Sequence, residues 1–310
     1  MVRSFPHKHL LDIEGLLKEE IETILDLAAR YAQTNRSIQK KTSTLDGKII
    51  ANMFFEDSTR TRTSFEIAAK RLGAEVINFG ATSSSINKGE TLSDTMRVID
   101  SMQVDGFVIR HKENGFPRRA SKFVSSPILN AGDGSHEHPT QALLDALTMI
   151  RHKGSLKGLK VALCGDIEHS RVARSNAHLL KKFDADVHFF APPMFVPKDS
   201  NALGIELHAS LEEAIEGADV IMMLRIQNER LGEDVEPISN KAYHKAYGLN
   251  HEKLKKAKDD VIVMHPAPMN RGVEITSALA DDPAHSVVFE QMEMGVATRM
   301  ACLDLLLCQD

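Results

Sequence analysis

The sequence predicts an α/β protein made of two Rossmann-like domains with parallel sheets. Short apolar runs alternate with segments of helical periodicity along the whole chain. Most of those runs are continuously apolar rather than alternating, as strands covered on both faces require. The length, 310 residues, suits two domains of ordinary size better than one.

The elements follow in order. In the first half, strands are expected at 48–55, 75–79, 106–110 and 126–130. Between them, 64–72 places Phe65, Ala68, Ala69 and Leu72 on one helical face, and Gly73 is the expected stop. The segment 91–102 places Leu92, Thr95, Met96 and Ile99 on another. A helix at 140–152 connects to the second half, where strands at 160–165, 186–190, 219–224 and 260–264 alternate with helices at 172–183 and 211–216. Residues 230–250 are polar, hold Gly232, Pro237 and Gly248, and read as a long mobile loop. A last helix over 292–308 follows the final strand and is expected to return to the first domain. The expected division is therefore 1–140 with 292–310, and 141–291.

Composition narrows the function. The chain is 42% hydrophobic and 26% charged, proportions that argue against disorder. Lys and Arg number 38 against 43 Asp and Glu, a formal net charge of −5, so a non-specific nucleic-acid binder is disfavoured. Without a tryptophan, a base-stacking surface is also disfavoured. Cys164, Cys302 and Cys308 form no CxxC pair and no disulfide framework, which fits a reducing compartment. No apolar run approaches membrane-spanning length, and Arg3, Lys8, Asp12 and Glu14 leave no room for a signal-peptide core. The expectation is a soluble cytoplasmic protein.

Four constellations could carry chemistry. Ser58, Thr59, Arg60, Thr61, Arg62, Thr63 and Ser64 lie between a strand end and a helix start. Unpaired N–H groups and the helix dipole attract anions there, and arginine suits phosphate. Simple capping with surface arginines is the alternative. Next, 130–141 is a glycine-rich turn entering a helix, with His138 and Gln141 three apart, a spacing that puts both on one helical face. Imidazole could donate to an oxyanion; a packing histidine is the alternative. His136 and His138 lack a third ligand of suitable spacing, so metal is disfavoured.

Third, cations recur at strand ends: Arg110, Arg171 after Gly165-Asp166, and Arg225, with His265-Pro266-Ala267-Pro268 in the same position after 261–264. Ligands of open α/β sheets bind at that end. A single such arginine is ordinarily a solvated charge, but three with Arg60 describe a pocket for a substrate with several negative charges. Fourth, 82–90 is a polar loop from which Ser84 and Lys88 could close over a ligand; an ordinary solvated loop is the alternative. A dinucleotide site is disfavoured, because 161–166 holds one glycine and Ser170 and Arg171 stand where small residues are needed.

Taken together, these segments resemble the aspartate/ornithine carbamoyltransferases, most closely the catalytic chains of the aspartate branch. The anchors are Phe54-Phe55-Glu56, Ser58-Thr59-Arg60-Thr61-Arg62, Lys88-Gly89-Glu90-Thr91, Arg110-His111 and His138-Pro139-Thr140-Gln141. Gly165-Asp166 with Arg171, Arg225-Ile226-Gln227 with Glu229-Arg230, and His265-Pro266-Ala267-Pro268 complete the set. Ornithine-specific members carry a Ser-Met-Gly motif and a His-Cys-Leu-Pro motif in the second half; this chain has neither.

The resemblance implies carbamoyl transfer from carbamoyl phosphate to L-aspartate, an early step of pyrimidine biosynthesis, with no cofactor and no metal. It implies that Ser58, Thr59, Arg60 and Thr61 hold the phosphate and that Arg110 bridges phosphate and carbonyl. His138 would donate to the carbonyl oxygen, and Gln141 with the carbonyls of Pro266 and Ala267, next to Pro268, would hold the carbamoyl NH2. Arg171, Arg225 and Gln227 would hold the aspartate carboxylates. Ser84 and Lys88 would enter from a neighbouring subunit, which implies a homotrimer with shared active sites. Regulatory chains or higher assembly are compatible with the pattern but carried by no motif. Asp57, Asn87 and Met294 depart from the family pattern without removing a named ligand. Two rivals are a different carbamoyl acceptor and a non-catalytic scaffold; the intact set of Arg60, Lys88, Arg110, His138 and Arg171 disfavours the scaffold.

Overall fold

The structure, a computed structural model, describes residues 5–80, 91–197, 203–231 and 236–308. The chain divides into two compact units, Met1–Leu147 with Glu293–Asp310, and Thr148–Met292.

The first unit holds α1 (Lys18–Arg36), β1 (Ile49–Phe54), α2 (Thr59–Leu72), β2 (Glu75–Gly80), α3 (Leu92–Ser101), β3 (Gly106–His111), α4 (Phe116–Ala120) and β4 (Ile128–Asp133). Its four strands run parallel in the order β2-β1-β3-β4. The helical faces expected from the sequence are the buried ones: Phe65, Ala68, Ala69 and Leu72 on α2, and Thr95, Met96 and Ile99 on α3. Gly73 caps α2 with φ 98°, a left-handed turn that ends the helix as expected. Met96, Ile99, Phe107, Ile109 and Phe116 meet Ala51 and Met53 in one apolar cluster on the sheet.

Helix α5 (Pro139–Lys153) starts the passage to the second unit. That unit continues with β5 (Lys160–Cys164), α6 (Arg171–Lys182), β6 (Asp186–Phe190), β7 (Glu206–His208), α7 (Leu211–Ile215), β8 (Val220–Met223), α8 (Asn240–Tyr247), α9 (His251–Leu254), β9 (Ile262–Met264) and α10 (Ser277–Ala280). Five parallel strands run in the order β7-β6-β5-β8-β9. Residues such as Ala162, Ile221, Val263 and Leu279 are fully buried beneath α7 and its neighbours.

Helix α11 (Val288–Leu307) closes the chain, and most of it belongs to the first unit. It packs there as expected, through the Tyr31 hydroxyl on Asp304 at 2.8 Å and a two-pronged Arg36–Glu293 pair at 2.5 and 2.9 Å.

Three readings need correction. Residues 230–250 are not one long loop, since α8 occupies Asn240–Tyr247 with Ser239 as its cap and Tyr243 fully buried. Two tyrosines spaced one turn apart, Tyr243 and Tyr247, were the available signal, masked by the flanking polar residues. Strand β2 is not covered on both faces but is a largely exposed edge strand. His138 lies just before α5 rather than within it, and its carbonyl accepts the Gln141 N–H at 2.9 Å.

Candidate active site

Strand order determines where each sheet can hold a ligand. In the first sheet the chain turns one way from β1 to β2 and the other way to β3, so the crevice opens at the carboxyl ends of β1 and β3. The expected phosphate residues sit there. Ser58 caps α2 at φ −160° and ψ 82° with no side-chain cap bond, and Thr59, Arg60 and Thr61 form its first turn, which holds no acidic residue. The positive helix end is thus left uncompensated from within the helix.

Arg110, next along from β1 in register with Phe54, is buried at the end of β3. Its Nη2 lies 3.4 Å from Glu56 Oε1, and its Nη1 donates to the Ala131 carbonyl at 3.3 Å. The guanidinium is therefore aimed by both neighbouring strand ends. Glu56 has no ligand role in the resemblance; its positioning role emerges from this geometry.

The turn after β4 is held by a dense set of bonds. Asn130 Nδ2 donates to Asp133 Oδ1 at 2.8 Å, and Asp133 also receives the Gly115 N–H at 2.5 Å and the His136 ring Nδ1 at 3.1 Å. Burial alone would raise the Asp133 carboxyl, but the bonds from His136, Asn130 and Gly115 outweigh it and hold it below the usual range. The same bond, against a smaller effect of burial, holds the His136 imidazole above its ordinary value. Glu137 Oε1 accepts from the Ile13 and Glu14 N–H groups, each at 3.2 Å. His138, itself buried, is thereby fixed at the mouth of α5. Gln141 Nε2 donates to Asp145 Oδ1 at 2.9 Å, an orientation that leaves Gln141 Oε1 as an acceptor.

The second sheet reverses between β5 and β8, and its expected residues again lie at that point. Gly165 has φ 135° and sits so close to the next strand end that a Cβ would come 2.5 Å from the Leu224 carbonyl oxygen, so only glycine fits. Asp166 follows, fully buried; burial raises its carboxyl, while the His169 N–H at 3.0 Å and the Gln227 N–H at 3.2 Å oppose that rise. Asp166 thus ties the β5 turn to the β8 turn. Arg171 begins α6 behind the Ser170 cap and is buried. Arg225 pairs through Nη2 with Glu229, and Gln227 Nε2 donates to the His169 carbonyl at 3.3 Å.

Beyond β9 the chain enters His265-Pro266-Ala267-Pro268. His265 Nδ1 accepts the Ala267 N–H at 2.9 Å, so Nε2 carries the ring proton and donates to Glu274 at 3.0 Å. Glu274 also receives the Asn270 N–H at 2.6 Å, and both side chains are fully buried. These bonds fix the direction of the Pro266 and Ala267 carbonyls. The sequence held no sign of Glu274, because a buried glutamate nine residues from its histidine has no local pattern. Ser84 and Lys88 lie outside the described residues.

Each unit thus has a strand-order reversal with cationic and hydroxyl side chains gathered at it, Arg60 and Arg110 in the first and Arg171 and Arg225 in the second. The family model for the aspartate/ornithine carbamoyltransferase carbamoyl-P binding domain matches residues 8–151, and that for the Asp/Orn binding domain matches 157–306. The chain belongs to the aspartate/ornithine carbamoyltransferase family. Aspartate carbamoyltransferase catalytic subunits of Rhodospirillum centenum and Granulibacter bethesdensis are each 54% identical to it over 303 residues, 98% of this chain and 95% and 96% of theirs.

Among solved structures, aspartate transcarbamoylase from Trypanosoma cruzi in complex with carbamoyl phosphate and aspartate superposes with a TM-score of 0.87 at 35% identity, covering 99% of both chains. The ornithine carbamoyltransferase of Pyrococcus furiosus gives 0.86 at 31% identity over 98% of both. Backbone shape alone therefore does not separate the acceptors; side chains must.

Proposed function

We propose that the chain transfers the carbamoyl group of carbamoyl phosphate to the amine of L-aspartate, giving N-carbamoyl-L-aspartate and phosphate, an early step of pyrimidine biosynthesis. The observation that carries this is the placement of Ser58 to Thr61 with Arg110 at one strand-order reversal, and of Arg171, Arg225 and Gln227 at the other. The names of the relatives at 54% identity describe the same reaction.

The phosphate sits at the N-terminus of α2, against Ser58, Thr59, Arg60 and Thr61. Arg110, aimed by Glu56, reaches from phosphate to carbonyl. The neutral aspartate amine attacks the carbamoyl carbon, the N–C bond forms, and the carbonyl oxygen takes up negative charge. His138, Arg110 and Thr61 stabilise that oxyanion; a lost donor of this kind costs about 10²–10³ in rate. The C–O bond to phosphate then breaks, the departing phosphate takes up the proton released by the amine, and Arg60 offsets its remaining charge. Gln141 Oε1 and the carbonyls of Pro266 and Ala267 accept from the carbamoyl NH2. Arg171, Arg225 and Gln227 hold the two carboxylates of aspartate. Three cationic and amide donors favour an acidic acceptor and would repel the cationic side chain of ornithine.

Ser84 and Lys88 complete the site from a neighbouring subunit, so the active unit is a homotrimer. The test is phosphate release from the purified chain, which should need both substrates and vanish in Arg60→Ala. Mixing Arg60→Ala with Lys88→Ala chains should restore part of the activity; verified mixed trimers without recovery would overturn the shared site, and an active Arg60→Ala would overturn the phosphate assignment.

A further inference from the structure

We propose that His188, Glu206 and His208, on β6 and β7, form a binding site for a divalent transition-metal ion of the zinc class. The sequence carries two matching pairs, Asp186-Val187-His188 and Glu206-Leu207-His208. Residues two apart on a strand share a face, so each strand brings a carboxylate and an imidazole to the same side. The parallel register sets His188 beside Glu206 and Phe190 beside His208, which places His208 diagonal to His188.

The side chains converge accordingly. His188 Nδ1 lies 2.7 Å from His208 Nε2 and 3.8 Å from a Glu206 oxygen, and His208 Nε2 lies 3.9 Å from the other. Among the described residues this is the one group of histidine, cysteine and acidic side chains with ligand atoms this close together. Two ligand atoms about 2.1 Å from a tetrahedral ion are about 3.4 Å apart, so small rotations of the side chains suffice. Two imidazole nitrogens and one carboxylate oxygen are a known donor set for zinc, with water in the fourth position.

A second observation points the same way. His188 Nε2, on the far side of the ring, is buried and makes no hydrogen bond as it stands, but lies 3.0 Å from Asp186 Oδ2, which a small rotation would turn into its acceptor. A ligating histidine ordinarily has such a carboxylate behind it, which keeps the proton away from the metal-facing nitrogen. Asp186 and Glu206 are both largely exposed, so an ion can reach the site from solvent.

Strand β7 has three residues and forms the outer edge of its sheet, whereas Arg171, Arg225 and Gln227 follow β5 and β8. A bound ion would pin this short edge to β6 without touching the residues assigned to carbamoyl transfer.

The test uses the full, untagged chain, stripped by a chelator and titrated with zinc sulfate in a calorimeter and with cobalt chloride in a spectrophotometer. The expected result is one saturable ion per chain, a visible cobalt absorption band, loss of both in His208→Gln, and an affinity about 10–100-fold weaker in Asp186→Asn. Carbamoyl transfer should persist in both variants, which also reports that they fold. Glu206→Gln serves the same purpose should His208→Gln not fold. Absence of saturable uptake by the wild-type chain, or uptake that the ligand variants leave unchanged, overturns the proposal and leaves a hydrogen-bonded histidine pair among surface carboxylates.

Discussion

Arg299 Nη1 donates to Ser64 Oγ at 2.7 Å, joining residues 235 positions apart in the first unit. Arg299 is buried on α11, and its guanidinium also lies 5.0 Å from the centre of the Phe65 ring. Burial lowers it to about 10, and Cys302 and Asp145 partly offset that, so it remains a cation at neutral pH. Both of its partners on α2 follow directly on the turn proposed to hold phosphate. The returning helix thus sets the position of that turn.

Arg299→Met is expected to destabilise the protein by about 1.5–3 kcal/mol, the worth of a buried hydrogen bond to a charged group. It should also raise KM for carbamoyl phosphate more than KM for aspartate. Urea denaturation with steady-state kinetics checks both; a stability loss with neither KM altered would confine Arg299 to packing.

Asp145 sets the orientation of the Gln141 amide through its bond to Nε2. Asp145→Ala frees the amide to rotate and should lower kcat/KM for carbamoyl phosphate about 10–100-fold. Asp145→Asn keeps an acceptor oxygen at the same place and should recover most of that loss. Equal losses in both variants would mean that charge, not orientation, is what Gln141 needs.

The Asp133–His136 pair makes stability depend on pH. His136 is raised above its ordinary value of about 6.5, so its contribution is fully present below that value and is lost as pH rises through the raised one. Asp133 is lowered, so its contribution is present above the ordinary carboxylate range and is lost as pH falls through the lowered value. The pair should therefore contribute most between about pH 4 and pH 6.5. Denaturation of wild type and His136→Gln at about pH 6 and about pH 9 should give a larger gap at the lower pH. An equal gap at both would remove the pair from the pH dependence.

Arg225 is held at one nitrogen by Glu229, four residues on. Arg225→Leu should raise KM for aspartate by about 10²-fold, the loss of a charge-assisted bond, with little change for carbamoyl phosphate. Glu229→Ser should raise it less, since the arginine remains but is no longer aimed. An unchanged KM for aspartate in Arg225→Leu would refute its role in acceptor binding.

Much of this was legible in the sequence because parallel strands are continuous apolar runs and their ends are marked by a change to polar residues. The runs at 49–54, 106–111 and 160–164 thus disclosed both the sheets and the positions of Arg110 and Asp166. What escaped notice lacked local contrast. Strand β7 has three residues, and α1 is marked only by Ile21, Ile24, Leu25, Ala28 and Tyr31 at helical spacing among charged neighbours. The residues that orient the proposed site groups, Glu56, Asp145, Glu274 and Arg299, are read only from distances, because each acts on a partner brought near by the fold. Ser84 and Lys88, carried by resemblance, remain part of the proposal.

The most direct test of the acceptor assignment is to supply the purified chain with carbamoyl phosphate and either L-aspartate or L-ornithine and to identify the carbamoylated product. N-carbamoyl-L-aspartate with stoichiometric phosphate, and no product from ornithine, is the result expected from Arg171, Arg225 and Gln227. Citrulline from ornithine, with aspartate inert, would contradict it.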